Sequence, residues 1–246
     1  MSLLINISND SNITWEYDHV SYPTSDCTNI LVFLEKCSQL ICTNIPKLKI
    51  LLKDNDECIQ LINKLTRIMI IDIETRGKKI KHIVQVAYKI CDYNLNDIES
   101  KNYLINDGSG MNDFYNKIPI QLIKKIGIPP KKCMELLKQD MQNVHYFSGH
   151  NIKSFDMPEI IKYAKTCGTV INGIVDECMI DTMSVPKTLL NLKNKTGGLK
   201  SPKLSELYYG LFKKNPDEQK CHLADYDIIM SQEVLRELLK LKIMFF

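Results

Sequence analysis

The feature that most constrains the fold is an apolar run that ends in two acids. Residues 68–71 read Ile-Met-Ile-Ile, which is typical of a buried β-strand, and Asp72, Ile73 and Glu74 follow directly. Strand alternation places Asp72 and Glu74 on one face while Ile73 points away. Two carboxylates at the end of a buried strand are costly unless positive charge neutralises them. Mg²⁺ or Mn²⁺, which prefer hard oxygen ligands, are the expected partners.

Two further polar segments follow in chain order. His150 comes just after a predicted strand, and Asp156 lies in the first turn of a predicted helix, where the helix dipole favours an acid. His222 and Asp227 flank the start of the last predicted helix. Singly, these residues could be ordinary capping acids and structural histidines. Together, acids from separate segments and one histidine are the set that two-metal phosphodiester hydrolysis requires.

Composition excludes several classes of protein. The chain has 246 residues, of which 44% are hydrophobic and 25% charged, as in ordinary globular proteins. Its sequence contains no apolar run of about 18 residues, so no membrane span is expected, and its N-terminus does not resemble a signal peptide. Nine cysteines, an odd number without a C-x-x-C pair, fit neither a disulfide framework nor a zinc site. We therefore expect a reducing intracellular compartment, the cytoplasm or the nucleus.

Charge divides the chain into two parts. Residues 1–66 carry 5 Lys+Arg and 8 Asp+Glu, a net −3, which leaves 27 and 21, a net +6, for residues 67–246. We predict that residues 1–66 form a small, mainly helical accessory module of unknown function, with helices at residues 28–42 and 56–65. The basic excess in residues 67–246 suits a phosphate-bearing partner, although a solvated surface would also explain it.

The pattern within residues 67–246 alternates strands and helices. Three strands come first, and strand–helix alternation follows, which predicts a mixed sheet with helices on its faces. The predicted strands cover residues 67–73, 82–91, 100–105 and 144–148, with a short apolar piece that ends at Asp181. The predicted helices cover residues 131–142, 154–167, 184–192 and 203–212, with a long last helix from about residue 224.

The motifs resemble those of the DEDDh family of 3′-to-5′ exonucleases, which includes oligoribonuclease, RNase T and the proofreading subunit of bacterial replicative polymerase. The resemblance covers residues 67–240. The family motif D-x-E-T is matched at residues 72–75, and H-x-A-x-x-D is matched at residues 222–227. H-N-x-x-F-D is similar to residues 150–156, which have one extra residue between Asn151 and Phe155. A related branch has tyrosine four residues before the last aspartate, where this chain has Leu223.

The resemblance implies a fold and a chemistry. The expected fold is α/β, a ribonuclease H-like mixed five-stranded sheet flanked by helices. The expected activity releases nucleoside 5′-monophosphates from the 3′ end of DNA or RNA, with two divalent cations, Mg²⁺ or Mn²⁺, as cofactors. The implied metal ligands are Asp72, Glu74, Asp156 and Asp227, and the implied catalytic residues are His222, as general base, and Glu74.

Substrate contacts are expected near the metal ligands. The candidates share a position beside the first or second motif and are Thr75, Arg76, Lys78, Lys79, His150 and Asn151. A second candidate surface is residues 187–203, which contain five lysines and no acid. This segment could follow a phosphate backbone, or it could be a solvated loop.

Several alternatives stay open from the sequence. Asp225 competes with Asp227 as the last metal ligand. The chain could also be a catalytically silent nucleic-acid-binding or scaffold protein on the same fold, although a decayed site would be expected to lack an acid or the histidine. Residues 1–66 could bind a protein partner, and the resemblance is compatible with a homodimer. No membrane partner is expected.

Overall fold

The structure is a computed structural model, which describes residues 3–7, 13–17, 20–23, 56–77, 82–109 and 117–244. Near the N-terminus, β1 (Leu3–Ile7), β2 (Ile13–Tyr17) and β3 (Val20–Pro23) form an antiparallel sheet in that order. Helix α1 (Asp56–Leu65) follows where it was predicted. The prediction of a mainly helical module missed these three strands, and the helix predicted over residues 28–42 lies outside the described residues.

The rest of the described chain builds a mixed five-stranded sheet, as predicted. Its strands are β4 (Ile68–Thr75), β5 (Ile83–Cys91), β6 (Asp97–Leu104), β7 (Tyr146–Gly149) and β8 (Met179–Asp181). Their spatial order is β6-β5-β4-β7-β8. Strand β5 runs antiparallel to β4 and β6, whereas β7 and β8 run parallel to β4. The carboxyl ends of β4, β6, β7 and β8 therefore share one edge of the sheet, which we call the carboxyl edge.

Helices cover both faces of this sheet. They are α2 (Ile120–Ile126), α3 (Pro130–Met141), α4 (Asp156–Thr166), α5 (Leu204–Phe212) and α6 (Ala224–Lys240). Alternation on β4 sends Met69, Ile71 and Ile73 into an apolar core with side chains of α3 and α4. The opposite face of β4, which carries Asp72 and Glu74, is covered by α6. The fold therefore directs both acids toward the helix that carries Asp227.

One helix prediction was wrong, and one helix was not predicted. Residues 184–192 form turns rather than a helix, because Pro186 disfavours helical backbone at the residue before it, and the Leu189 N–H donates to the Pro186 carbonyl in a short turn (2.8 Å). Helix α2 was absent from the predicted helices, although Pro119 and Gly127 are typical residues for the two ends of a helix. Among the described helices, none is long and apolar enough to cross a membrane.

Candidate active site

The site lies where β4 extends beyond the end of its pairing with β7. Strand β7 pairs with β4 only as far as Ile70, whereas β5 stays paired to β4 through its last residue. Beyond Ile70 the edge of β4 that faces β7 is open, and the Ile73 N–H donates instead to Asp156 Oδ1 at 3.2 Å. Asp156 stands in the first turn of α4 and is buried. This bond places Asp156 beside the part of β4 that carries both acids.

The segment that leads from β7 to Asp156 is held by another acid. Asp181, the last residue of β8, is buried and accepts three backbone N–H groups. Its Oδ1 accepts from Asn151 (2.8 Å) and Met183 (2.9 Å), and its Oδ2 accepts from Lys153 (3.3 Å). Asn151 adopts a left-handed φ of +72°, which asparagine tolerates better than most residues. Asp181 thus fixes the turn that delivers Asp156 to the site.

Gln85 of β5 fixes the start of α6. It lies opposite Glu74 in the sheet and is buried. Its Oε1 accepts the Ala224 N–H at 3.0 Å, and its Nε2 donates to Asn102 Oδ1 at 2.9 Å. A buried helix start needs such an acceptor, because its first N–H groups have no partner within the helix. Gln85 therefore sets the position of Asp227, one turn into α6.

Glu74, His222 and Asp227 meet at the carboxyl edge. One ligand atom from each lies within 4.8 Å of the others, a spacing that suits a shared metal ion. His222 is exposed and has a left-handed φ of +68°, which costs a non-glycine residue about 1–3 kcal/mol. In this conformation the His222 N–H donates to Asp227 Oδ2 at 3.2 Å. Asp227 Oδ1 is buried and accepts no hydrogen bond from the described residues.

The acids of this cluster repel one another. Burial, followed by the charges of Asp156, Asp227 and Glu74, raises the pKa of Asp72 well above its usual value. For Glu74, burial and the same two aspartates raise the pKa to about 8. Burial is also the main cause for Asp156, whose pKa rises to about 7, and for Asp227, whose pKa rises to about 6.

A divalent cation fits this site chemically. Carboxylate oxygens are the preferred ligands of Mg²⁺ and Mn²⁺. The raised pKa values indicate that positive charge among the described residues compensates the ionised cluster only in part, so that an added cation would stabilise it. Asp227 Oδ1, which has no partner among the described residues, is a ligand atom that a cation would satisfy. The four predicted metal ligands and His222 are therefore brought together by the fold.

The competing ligand Asp225 has a different environment. Its side chain is exposed and lies 3.4 Å from Gln85 Nε2, outside the cluster of Glu74, His222 and Asp227. After burial, the charge of Asp225 is one of the causes that raise the pKa of Asp227. The geometry thus favours Asp227 over Asp225 as a ligand.

The predicted substrate-contact residues differ in how free they are to reach a substrate. Arg76 is buried and donates to Asp107 Oδ1 at 2.7 Å, which favours a structural role over a phosphate contact. Both ring nitrogens of His150 also have protein partners: Nδ1 lies 3.0 Å from Thr182 Oγ1, and Nε2 lies 3.0 Å from the Pro202 carbonyl. Thr75 ends β4 and is half-buried beside the acids. Lys78 and Lys79 lie outside the described residues.

Lys117 is a site residue that sequence reasoning missed. Its ammonium donates to the Glu218 carbonyl in the loop that leads to His222. From there its positive charge lowers the pKa of Glu74 and Asp227, opposing the effect of burial. Lys117 follows a segment outside the described residues and belongs to no motif, so the sequence contains no signal for it.

The fold resembles that of exonuclease I from E. coli. A complex of that enzyme with a 5cy-dA13 oligonucleotide matches with a TM-score of 0.57 and 15% identity, covering 71% of this chain and 40% of that chain. The apo enzyme gives 0.57 and 15%, covering 71% and 42%. A zinc-ion-bound complex with single-stranded DNA gives 0.55 and 15%, covering 72% and 41%. The chain therefore spans about two fifths of the length of these proteins.

At this level of identity the likeness establishes a shared fold. The α/β, ribonuclease H-like architecture with a mixed five-stranded sheet is confirmed by these neighbours, which are exonucleases. No protein-family model matches the chain, and no curated protein sequence matches it. The structural neighbours thus agree with the fold that the motifs predicted.

Proposed function

We propose that this chain is a metal-dependent 3′-to-5′ exonuclease that releases nucleoside 5′-monophosphates from nucleic acid. One observation carries the proposal: four acids and a histidine from separate segments converge at the carboxyl edge of the sheet. Ligands bind at this edge in many α/β folds. The structural neighbours include complexes of an exonuclease with single-stranded DNA, which makes a single strand the first substrate to test.

Each residue of the cluster has a role in this proposal. Asp72, Glu74, Asp156 and Asp227 hold two divalent cations, Mg²⁺ or Mn²⁺. When bound, such cations supply Lewis-acid activation of water and neutralise the charge of a phosphodiester. The exposed imidazole of His222 takes the proton of the attacking water. The hydrogen bond from the His222 N–H to Asp227 keeps the imidazole beside the acids.

Groups around this cluster bind the substrate in this proposal. The backbone near Thr75 receives the terminal nucleotide, and Lys78 and Lys79 follow it in sequence as phosphate contacts. Residues 1–66, as a separate module, recruit a partner. A homodimer stays a prediction.

The test is degradation of a labelled single strand. A 5′-labelled oligonucleotide, as DNA and as RNA, should be shortened stepwise with Mg²⁺ or Mn²⁺ and should stay intact with a chelator. A 3′-labelled strand should release its label at once as a mononucleotide, which fixes the polarity. Asp227→Asn should abolish shortening, and the matched variant Asp225→Asn should retain most of it. Metal-dependent binding without shortening would instead favour the catalytically silent alternative.

A further inference from the structure

Residues 185–203, which we call the lysine hairpin, form an ordered structure. Lys193 and Leu199 form an antiparallel bridge. Beside it, the Lys200 N–H donates to the Leu192 carbonyl at 3.0 Å, and the Asn194 N–H donates to the Gly198 carbonyl at 2.8 Å. The two arms of the hairpin are therefore paired by hydrogen bonds. The alternative interpretation, a solvated loop, would have left them unpaired.

The tip of the lysine hairpin is closed by one side chain. Asn194 Oδ1 accepts the N–H groups of Thr196 (3.0 Å) and Gly198 (2.9 Å). Gly197 has a φ of +84°, which glycine adopts without a steric penalty. Lys193 and Lys195 on either side of Asn194 are thus carried by a defined turn.

The lysine hairpin presents positive charge that the described part of the chain compensates only at Lys200. Lys187, Lys193 and Lys195 are exposed, and none of them forms an ion pair with the described residues. Lys200 is paired with Glu206 at 2.5 Å. Between Asp181 and Glu206 the sequence contains no acid. The hairpin is therefore a concentrated cationic surface.

This surface is tied to the proposed active site through His150. The imidazole bonds to Thr182, three residues before the hairpin begins, and to Pro202 near the end of the hairpin, both at 3.0 Å. His150 follows β7 directly, and a single turn separates it from Asp156 at the start of α4. The base of the hairpin therefore lies at the carboxyl edge. Leu189 and Leu190 add an apolar contact with α5.

We propose that the lysine hairpin binds the phosphodiester backbone of the single strand whose 3′ end enters the site, with His150 as the positioning residue that closes the hairpin's base. The proposal rests on the proposed function. Such binding is independent of sequence and weakens with salt, because each neutralised phosphate releases counterions. Loss of one phosphate contact on a single strand changes the slope of log affinity against log salt by about 0.7.

Binding is measured on the full chain carrying Asp72→Asn, so that turnover does not interfere. The probe is a fluorescent single-stranded oligonucleotide followed by anisotropy with Mg²⁺ across a salt series. Changing Lys187, Lys193 and Lys195 together to Gln should weaken binding about 10-fold or more and reduce the salt slope by about 2. The matched control changes Lys138, Lys162 and Lys165 to Gln. These lysines are exposed and lie toward the carboxyl ends of α3 and α4, away from the carboxyl edge.

An equal loss of affinity in both triple variants would overturn the proposal, because it would show a general charge effect. Unchanged affinity in the hairpin variant would overturn it as well. Either result can occur while the wild-type protein still shortens the strand, whereas absence of shortening by the wild type contradicts the proposed function itself.

His150 has its own test in the catalytically competent chain. His150→Ala should speed trypsin cleavage after Lys193 and Lys195 and raise KM for the strand more than it lowers kcat. His150→Gln, which can restore one of the two hydrogen bonds, should recover part of both effects. A loss confined to kcat, with the cleavage rate of the hairpin unchanged, would contradict the positioning role.

Discussion

The two sides of the candidate site are built differently. On one side, Asp156 is buried at the end of a turn whose backbone is fixed by two hydrogen bonds to Asp181, from Asn151 and Lys153. On the other side, His222 is exposed in a left-handed conformation and is joined to the cluster through one hydrogen bond to Asp227. We call these the anchored side and the exposed side.

The difference matches the role that we propose for each side, metal binding on the anchored side and general-base catalysis on the exposed side. A metal ligand is effective when neighbouring hydrogen bonds hold it in place, as on the anchored side. A general base must reach the water whose proton it takes, as the exposed side allows. Changes on the exposed side should therefore affect the chemical step without affecting stability, and changes on the anchored side should affect both.

The largest effect on rate is expected on the exposed side. His222→Asn removes the imidazole and keeps a residue that tolerates a left-handed backbone. We expect kcat to fall by about 10²–10⁴-fold, the usual contribution of a general base, with thermal stability close to wild type. Single-turnover kinetics and calorimetric unfolding measure the two quantities. A variant with wild-type kcat would remove His222 from the mechanism.

A smaller effect on rate, with a loss of stability, is expected on the anchored side. Asp181→Ala leaves the N–H groups of Asn151, Lys153 and Met183 without their acceptor, which should cost about 1–3 kcal/mol. Displacement of Asp156 should lower activity by about 10–100-fold, as for other groups that orient metal ligands. Chemical denaturation and initial rates give the two values.

Asp217→Ala is the matched control from the exposed side. Asp217 also accepts a backbone N–H, from Gln219 at 3.0 Å, but it is partly exposed and its bond lies in the loop before His222. Its removal should change stability by no more than about 0.5 kcal/mol. Equal destabilisation by Asp181→Ala and Asp217→Ala would erase the distinction between the two sides.

An effect on stability alone, without any change in rate, is expected from pH in metal-free protein. Because the folded protein raises the pKa of Glu74 to about 8, of Asp156 to about 7 and of Asp227 to about 6, protonation stabilises the folded state. This stabilisation is complete below the unfolded values near pH 4 and is lost as pH rises through about 6 to 8. Melting temperatures with a chelator should fall across that window, and Asp156→Asn should flatten the fall more than Asp227→Asn. Melting temperatures that rise over the same window would contradict the assigned shifts.

The sequence predicted the acids and the histidine of the site better than it predicted the residues that position them. Asp72, Glu74, Asp156, His222 and Asp227 were visible because strand ends, helix starts and spacing mark them locally. The roles of Asp181 and Gln85 could not be predicted, because their hydrogen-bond partners lie about 30 and 139 positions away in the sequence. Such pairings depend on which strands become neighbours, and local patterns do not encode that.

Two errors had local causes. Residues 13–17 alternate apolar and polar side chains, Ile-Thr-Trp-Glu-Tyr, which indicates a strand, but the polar residues around them concealed the pattern. Residues 184–192 are rich in leucine, but Leu189 and Leu190 pack against α5 from turns. The leucine content favoured a helix there, whereas the structure packs these side chains from turns.

The most direct measurement is the position of bound manganese in crystals of the protein grown or soaked with Mn²⁺, located by anomalous diffraction. We predict density in contact with the carboxylates of Asp72, Glu74, Asp156 and Asp227 and beside the imidazole of His222. The density should be absent in Asp72→Asn crystals treated in the same way. Manganese bound elsewhere, with these four carboxylates contacting only water or protein, would contradict the proposed active site.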